Sequence, residues 1–156
     1  MEKDMEYYIQ VSGRIMKDNL DKRKSLTQKI CDWYLDQDKE DICLIASGSS
    51  LNAAYAARPF LLKYSKFDIS VLSTVEYLDV YRERKKNRFT ILISQSGCST
   101  NIIEIMKELD KEHQPFVLLT GNENGSASRY TDRLVEYGVG NETIDYVTLG
   151  YSTLIE

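Results

Sequence analysis

The sequence predicts an α/β domain in which helices cover both faces of a five-stranded parallel sheet. Short apolar runs alternate along the chain with longer segments whose apolar residues recur every three or four positions. Strands that alternate with helices form parallel sheets, because each helix carries the chain back to the starting edge. With 156 residues, 42% hydrophobic and 28% charged, the chain is long enough for one domain with a sizeable core.

Two amphipathic helices are predicted to precede the sheet. Apolar residues follow the spacing of one helix face over residues 5–20 and again over residues 26–34. A charged segment then separates this region from the first apolar run. We therefore divide the chain into residues 1–38, whose helices pack on the domain or on a partner, and residues 39–156, which form the α/β domain.

The elements of the α/β domain follow in alternation. Strands are predicted at residues 42–46, 69–73, 89–94, 115–120 and 133–137. Helices are predicted at residues 51–64, 75–81, 101–111 and 126–130, with a last helix beginning within residues 146–156. Pro59 should kink its helix or move its start, because proline removes a backbone hydrogen bond. No cap or charged tail follows the apolar residues of the last helix, so we expect a longer protein with a second domain of the same kind.

Charge and composition exclude several classes of protein. The net charge of -4 gives no basic surface for nucleic acid, and the one basic cluster, residues 82–88, is interpreted as a solvated loop. No apolar run approaches the about 20 residues that cross a bilayer, and the N-terminus lacks a secretory signal. The three cysteines are odd in number and widely spaced, which argues against disulfides and thiolate metal sites, and Cys43 is expected in a core strand.

Two hydroxyl-rich turns carry the strongest functional signal. Ser94-Gln-Ser-Gly-Cys-Ser-Thr100 and Ser47-Gly-Ser-Ser50 each join a predicted strand to a predicted helix. Hydroxyls, a glycine and a helix N-terminus can bind a phosphate without lysine or arginine. The alternative is an ordinary helix N-cap, which needs one hydroxyl. Nucleotide binding is disfavoured, because the chain lacks the lysine of a Walker A loop and the three glycines of a dinucleotide fingerprint.

The pair of turns on this strand–helix pattern resembles the sugar isomerase (SIS) domain family of phosphosugar-binding proteins, over roughly residues 42–151. This family includes the isomerase part of glutamine-fructose-6-phosphate aminotransferase and the fructosamine-6-phosphate deglycases. The resemblance implies a flavodoxin-like fold, a sugar phosphate ligand, no cofactor and no metal. It also implies a protein of carbohydrate metabolism that forms homodimers, which the apolar faces of the opening helices favour too. The missing secretory signal, the acidic balance and the short apolar runs predict a cytoplasmic protein with neither nucleic acid nor a membrane as partner.

The resemblance also assigns residues to the ligand. The second turn would wrap the phosphate through Ser94, Gln95, Ser96 and Ser99, and the first would lie against the sugar through Ser49 and Ser50. A family segment of the form G-x-E matches Gly140-Asn-Glu142, so Glu142 either lines the site or is a surface acid. Thr148 also matches this segment, whereas Leu149 replaces the lysine that the family has there.

Catalytic residues are not evident from the sequence. The single histidine, His113, is expected on the surface at the sheet edge opposite the turns, and Glu76 is interpreted as a solvated acid at a helix start. In two-domain relatives the catalytic residues come from a second domain and a partner subunit. We therefore expect the N-terminal half of a phosphosugar isomerase, deglycase or aminotransferase. The alternatives are a non-catalytic phosphosugar sensor and a flavodoxin-like domain whose serine turn has no function.

Overall fold

Five parallel strands form one sheet, in the order β2-β1-β3-β4-β5, in the computed structural model of the chain. The structure describes residues 3–37, 39, 41–83, 87–139, 142 and 149–155. The strands are β1 (Asp41–Ala46), β2 (Asp68–Ser73), β3 (Arg88–Ser94), β4 (Phe116–Thr120) and β5 (Leu134–Glu136). The predicted five-stranded parallel α/β fold is therefore confirmed.

One helix precedes the sheet, and helices or helical turns alternate with its strands, as the apolar spacing predicted. They are α1 (Met5–Leu35), α2 (Gly48–Tyr64), α3 (Thr74–Glu76), α4 (Thr100–Lys111) and α5 (Leu149–Ile155). A π-helical turn (Tyr77–Tyr81) continues α3, and a 3-10 turn (Ser126–Tyr130) precedes β5. Pro59 lies inside α2 without moving its start, which is at Gly48.

The sheet separates two cores because side chains of a strand alternate between its faces. Cys43 and Ile45 of β1 pack on the face covered by α4. Leu44 and Ala46 pack on the opposite face, together with residues of α1 and α2. The strands β1 and β3 lie at the centre, and every residue of β3 is buried. Cys43 is fully buried, as predicted for a core strand.

The prediction of two N-terminal helices is wrong, because α1 is one continuous helix of 31 residues. The Asp4 carboxylate caps its start by accepting a hydrogen bond from the Tyr7 N–H at 2.9 Å. Residues 21–25, which separate the two apolar stretches, contain neither glycine nor proline. Lysine and arginine are good helix formers, so this charged segment continues the helix in solvent instead of breaking it.

The basic cluster is not wholly a solvated loop, which corrects a second prediction. Arg88 is the first residue of β3 and is only 8% exposed. Its guanidinium donates to the Cys43 Sγ at 3.6 Å and lies over the Tyr81 ring. Arg82 is exposed and forms an ion pair with Glu108. The aliphatic stem of an arginine can pack like an apolar side chain, so Arg88 extends the buried strand at its entry. Residues 84–86 of the cluster lie outside the described residues.

We expect Leu92→Ala to destabilise the protein by about 2–5 kcal/mol, because it opens a cavity in the core. Leu92 is fully buried in the central strand β3. Urea unfolding followed by the fluorescence of Trp33, the single tryptophan, measures the loss. The control is Leu35→Ala at the 77% exposed end of α1, for which we expect a change within about 0.5 kcal/mol. Equal effects of the two substitutions would contradict the position of β3.

Candidate functional site

The two serine-rich turns meet at the carboxyl edge of the sheet. The first turn follows β1 and the second follows β3, and these strands are hydrogen-bonded neighbours with Ile45 opposite Leu92. The strand order reverses between them, since β2 lies beyond β1 and β4 lies beyond β3. In open parallel sheets this switch point leaves a crevice in which ligands bind.

A cavity of about 390 Å³ occupies the crevice, a volume typical of small-ligand sites. Its lining residues are Ser47, Gly48, Ser49, Ser50, Ile93, Ser94, Gln95, Ser96, Ser99 and Glu142. The structure thus brings all of the predicted site residues together around one space. Their roles as ligand contacts stay a prediction.

The serines at the starts of α2 and α4 do not act as ordinary N-caps. Ser47 and Ser99 stand at the N-cap positions with extended backbone, but neither side chain makes a capping hydrogen bond. Ser73 shows what an ordinary cap looks like in this chain, since it forms a reciprocal capping box with Glu76 at the start of α3. The N-terminal amides of α2 and α4 are therefore left without a side-chain cap beside the cavity, where the helix dipole favours an anion.

Two further serines line the cavity with their hydroxyls open to it. Ser50 is 6% exposed and Ser94 is 4% exposed, so both residues are buried. Within the described residues, neither hydroxyl makes a hydrogen bond to the protein. Because both hydroxyls face the open cavity, they are hydrated in the free protein and accessible to the polar groups of a ligand. An oxygen-rich ligand in the cavity could accept a hydrogen bond from each of them.

The second turn has a compact backbone conformation. Gly97 adopts a left-handed φ of 65°, and its N–H donates to the Ser94 carbonyl at 3.1 Å. The Cys98 N–H donates to the Ser96 Oγ at 3.2 Å. Cys98 itself is exposed. The backbone of the turn is thereby fixed before any ligand is present.

A bracing loop, residues 120–127, holds the second turn from behind. The Thr120 hydroxyl donates to the Ser94 carbonyl at 2.7 Å, and the Gly121 N–H donates to the Gln95 carbonyl at 3.1 Å. The Asn122 amide donates to the Ser96 carbonyl at 3.2 Å. This loop was not predicted from the sequence. The signal was available, since Thr-Gly-Asn follows β4 and therefore lies at the same sheet edge as the turns.

Glu142 lies between the second turn and the start of α5. Its carboxylate accepts hydrogen bonds from the Leu149 and Gly150 N–H groups, both at 3.1 Å, and from the Gln95 amide at 3.3 Å. Leu149, at the position of the family lysine, is 1% exposed and packs with Tyr8, Tyr137 and Val139. The lysine position therefore belongs to the core here. Gly140, Asn141 and Thr148 of the matched segment lie outside the described residues.

The cavity is electrostatically polarised. Glu142 is the charged residue among its described lining residues, and none of those residues is Lys, Arg or His. The start of α4 favours an anion, whereas the Glu142 carboxylate favours a hydroxyl or another hydrogen-bond donor. These two preferences suit a ligand that carries both an anionic group and hydroxyls.

The other titratable residues considered from the sequence lie away from the cavity. His113 is exposed between α4 and β4, at the sheet edge opposite the turns, as predicted. Glu76 is fully exposed, and hydrogen bonds from the Ser73 backbone and side chain lower the pKa of its carboxyl. This confirms its interpretation as a solvated acid at a helix start.

Neither a metal cluster nor a membrane span is found in the described part of the chain. No group of three or more His, Cys, Asp or Glu side chains among the described residues could hold a metal ion. Although α1 is long, neither it nor another described helix has an apolar stretch suited to crossing a membrane.

Comparison with curated proteins finds one enzyme of sugar phosphate metabolism. The chain is 28% identical over 120 residues to the isomerizing glutamine–fructose-6-phosphate aminotransferase of Chlamydia caviae. The match covers 76% of this chain and 19% of that enzyme, so the chain spans about a fifth of its length. No protein-family model matches the chain.

Solved structures share the fold. A candidate phosphosugar isomerase of Clostridium difficile 630 has a TM-score of 0.81 at 18% identity, over 96% of this chain and 42% of that one. The C-terminal domain of glucosamine-fructose-6-phosphate aminotransferase from Francisella tularensis has a TM-score of 0.72 at 22% identity, over 97% and 44%. An E. coli CFT073 protein in complex with a sugar phosphate has a TM-score of 0.77 at 18% identity, over 97% and 81%. The chain thus has the fold of SIS phosphosugar isomerase domains, as its turns predicted.

Gly125→Ala should destabilise the contact between the bracing loop and the second turn. A Cβ at this position would lie 2.5 Å from the Gly97 carbonyl oxygen, and backbone cannot move aside cheaply. We expect a loss of about 1–3 kcal/mol in the free energy of unfolding, measured by urea titration.

The matched control is Gly13→Ala in the middle of α1, where a Cβ meets no atom within 4 Å. Alanine is the better helix former, so this variant should be more stable by about 0.5–1 kcal/mol. A Gly125→Ala variant as stable as the wild type would show that the loop and the turn are not in contact.

Proposed function

We propose that this chain is a phosphosugar-binding domain that holds the phosphate of its ligand at the second turn. The observation that carries the proposal is the convergence on one cavity of two helix N-termini without side-chain caps and two open serine hydroxyls. The likeness to a sugar phosphate aminotransferase and to a structure in complex with a sugar phosphate supports it.

The phosphate would be bound by donors of the backbone and of serine. The start of α4 offers unpaired N–H groups and the positive end of its dipole. Ser94, Ser96 and Ser99 add hydroxyls, and the Gln95 amide adds a further donor. The sugar would extend toward Ser49, Ser50 and Glu142, where hydroxyls and a carboxylate can pair with sugar hydroxyls.

The whole protein would be a phosphosugar isomerase, deglycase or aminotransferase of which this chain is the binding half. Aldose–ketose isomerisation needs a base and an acid near the reacting carbons. Among the described lining residues, Glu142 is the one carboxylate, and its oxygens already hold the start of α5. We therefore propose that the catalytic groups come from elsewhere in the whole protein.

The second candidate is a non-catalytic phosphosugar sensor or regulatory module. The buried Leu149 at the lysine position favours it, because this chain offers no ammonium there. Incubation of the chain with a sugar phosphate, followed by NMR of the products, separates the candidates. Turnover by the chain alone would exclude the sensor. Binding without turnover, in the chain and in the natural full-length protein, would exclude the enzyme.

We further propose that the protein is cytoplasmic and forms a homodimer. Ile9 and Leu20 of α1 are 54% and 48% exposed, which leaves apolar surface that a partner could cover. Sedimentation equilibrium at rising protein concentration should show a dimer. A monomer at every concentration would contradict the proposal for this chain.

Ser94→Ala should weaken ligand binding without destabilising the free protein. We expect calorimetric titration with fructose 6-phosphate and glucosamine 6-phosphate to show binding tighter than that of inorganic phosphate. In the variant the affinity should fall about tenfold, because one hydrogen bond to a charged group is lost. The free energy of unfolding should hardly change, because this hydroxyl makes no hydrogen bond within the described residues.

Ser73→Ala is the matched control. It removes the capping box of α3, which lies outside the cavity, and should cost about 0.5–2 kcal/mol of stability while leaving the affinity unchanged. The proposal fails if the wild-type chain binds none of these sugar phosphates, or if Ser94→Ala binds them as the wild type does.

A further inference from the structure

The side chain of Tyr137 ends in a buried hydroxyl that has no hydrogen-bond partner in the structure as described. Tyr137 follows β5, is 6% exposed and packs with Tyr8, Val139 and Leu149. Buried polar atoms are nearly always hydrogen-bonded, so an unpaired one requires an explanation. Phenylalanine would fill the same apolar surroundings without this cost.

The hydroxyl lies directly behind the second turn. A Cβ built on Gly121 would be 3.3 Å from the Tyr137 hydroxyl oxygen and 3.4 Å from the Gln95 Cγ. Because residue 121 is a glycine, no side chain stands in the space between the phenol and Gln95. The Gly121 N–H also donates to the Gln95 carbonyl. The phenol and Gln95, which lines the ligand cavity, thus both border the space that a side chain at position 121 would occupy.

The backbone of Tyr137 is fixed from two sides. Its N–H donates to the Thr120 carbonyl at 3.0 Å, and its carbonyl accepts from the Asn19 amide of α1 at 3.0 Å. The ring also borders a mostly apolar cavity of about 170 Å³ beneath α1. The backbone is therefore held in place, while the ring has free space on its α1 side.

The same residue, Gln95, also holds Glu142. Its amide reaches the Glu142 carboxylate at 3.3 Å, a long hydrogen bond. In the proposed function this amide is one of the donors to the ligand phosphate. When the ligand draws the amide away, the carboxylate loses one of its donors while it still caps α5.

We propose that Tyr137 is a positioning residue whose hydroxyl donates to the Glu142 carboxylate once a sugar phosphate has drawn the Gln95 amide away. This inference rests on the proposed function. The exchange would keep Glu142 in place beside the sugar and keep α5 attached to the site. Burial, together with the charges of Glu142 and Glu136, raises the pKa of Tyr137, so the phenol keeps its proton and can donate.

The test is Tyr137→Phe, with stability and affinity measured separately. We expect the free variant to be as stable as the wild type or more stable, because it loses a hydroxyl that has no partner. Its affinity for the sugar phosphate that the wild type binds should fall about tenfold, because the ligand-bound state loses one hydrogen bond to a charged group.

The matched control is Tyr34→Phe, which removes a phenol hydroxyl that donates to the Lys39 carbonyl at 2.9 Å. This variant should be less stable and should bind the sugar phosphate with unchanged affinity. If Tyr137→Phe instead loses stability as Tyr34→Phe does and keeps its affinity, the Tyr137 hydroxyl is structural and the inference is overturned.

A double-mutant cycle with Gln95→Ala tests the exchange itself. Without the Gln95 amide, the Tyr137 hydroxyl can donate to the Glu142 carboxylate both in the free protein and in the ligand-bound protein. In this background Tyr137→Phe should no longer change the affinity and should now lower the stability. An unchanged tenfold effect on affinity would overturn the role assigned to Gln95.

If the wild type binds no sugar phosphate, the proposed function fails and this inference fails with it. If the wild type binds and Tyr137→Phe binds equally well, only this inference fails.

Discussion

The direct pairing of β1 with β3 is the constraint on which the site depends. These strands are separated in sequence by α2, β2 and α3, yet they are adjacent in the sheet with Ile45 opposite Leu92. Each is followed at once by a serine-rich turn, so their pairing brings the two turns to the same crevice. If the strands followed one another in sequence order, β2 would lie between β1 and β3. The two turns would then be farther apart by one strand spacing, about 4.8 Å. The buried apolar character of β3 therefore fixes the site as well as the core.

The site exists because the chain leaves polar groups unsatisfied at this edge. N-cap hydrogen bonds each contribute about 0.5–2 kcal/mol. The chain uses them at α1 and α3, whereas α2 and α4 have none from their N-cap serines. The hydroxyls of Ser50 and Ser94 are open in the same place. Core packing and the bracing loop offset this loss, since the loop hydrogen-bonds the backbone of the second turn. Functional sites commonly reduce stability in this way.

The parts of the fold and of the site that could be predicted from the sequence are those that depend on neighbouring residues. The strands, α2, α4 and both turns follow from apolar periodicity and from hydroxyl-rich strand ends, which are properties of neighbouring residues. The continuity of α1 was missed because a charged stretch was treated as a break, although it contains no helix breaker. The position of the bracing loop could have been predicted from its place after β4. Its hydrogen bonds, the burial of Arg88 and the burial of the Tyr137 hydroxyl depend instead on contacts between residues far apart in the chain, such as Thr120 with Ser94. No periodicity within one segment contains that information.

The charge balance of the cavity explains how Glu142 and a phosphate could occupy it together. Two anions in one crevice repel each other, and the described lining residues include no cationic side chain. Each anion, however, would have its own set of backbone donors. The Glu142 carboxylate is held by the first N–H groups of α5, whereas a phosphate would be held by those of α4. Backbone N–H groups satisfy the acceptor oxygens of a carboxylate without a cationic side chain. Leu149 can therefore replace a lysine without leaving Glu142 uncompensated, because it is the Leu149 backbone, and not its side chain, that meets the carboxylate.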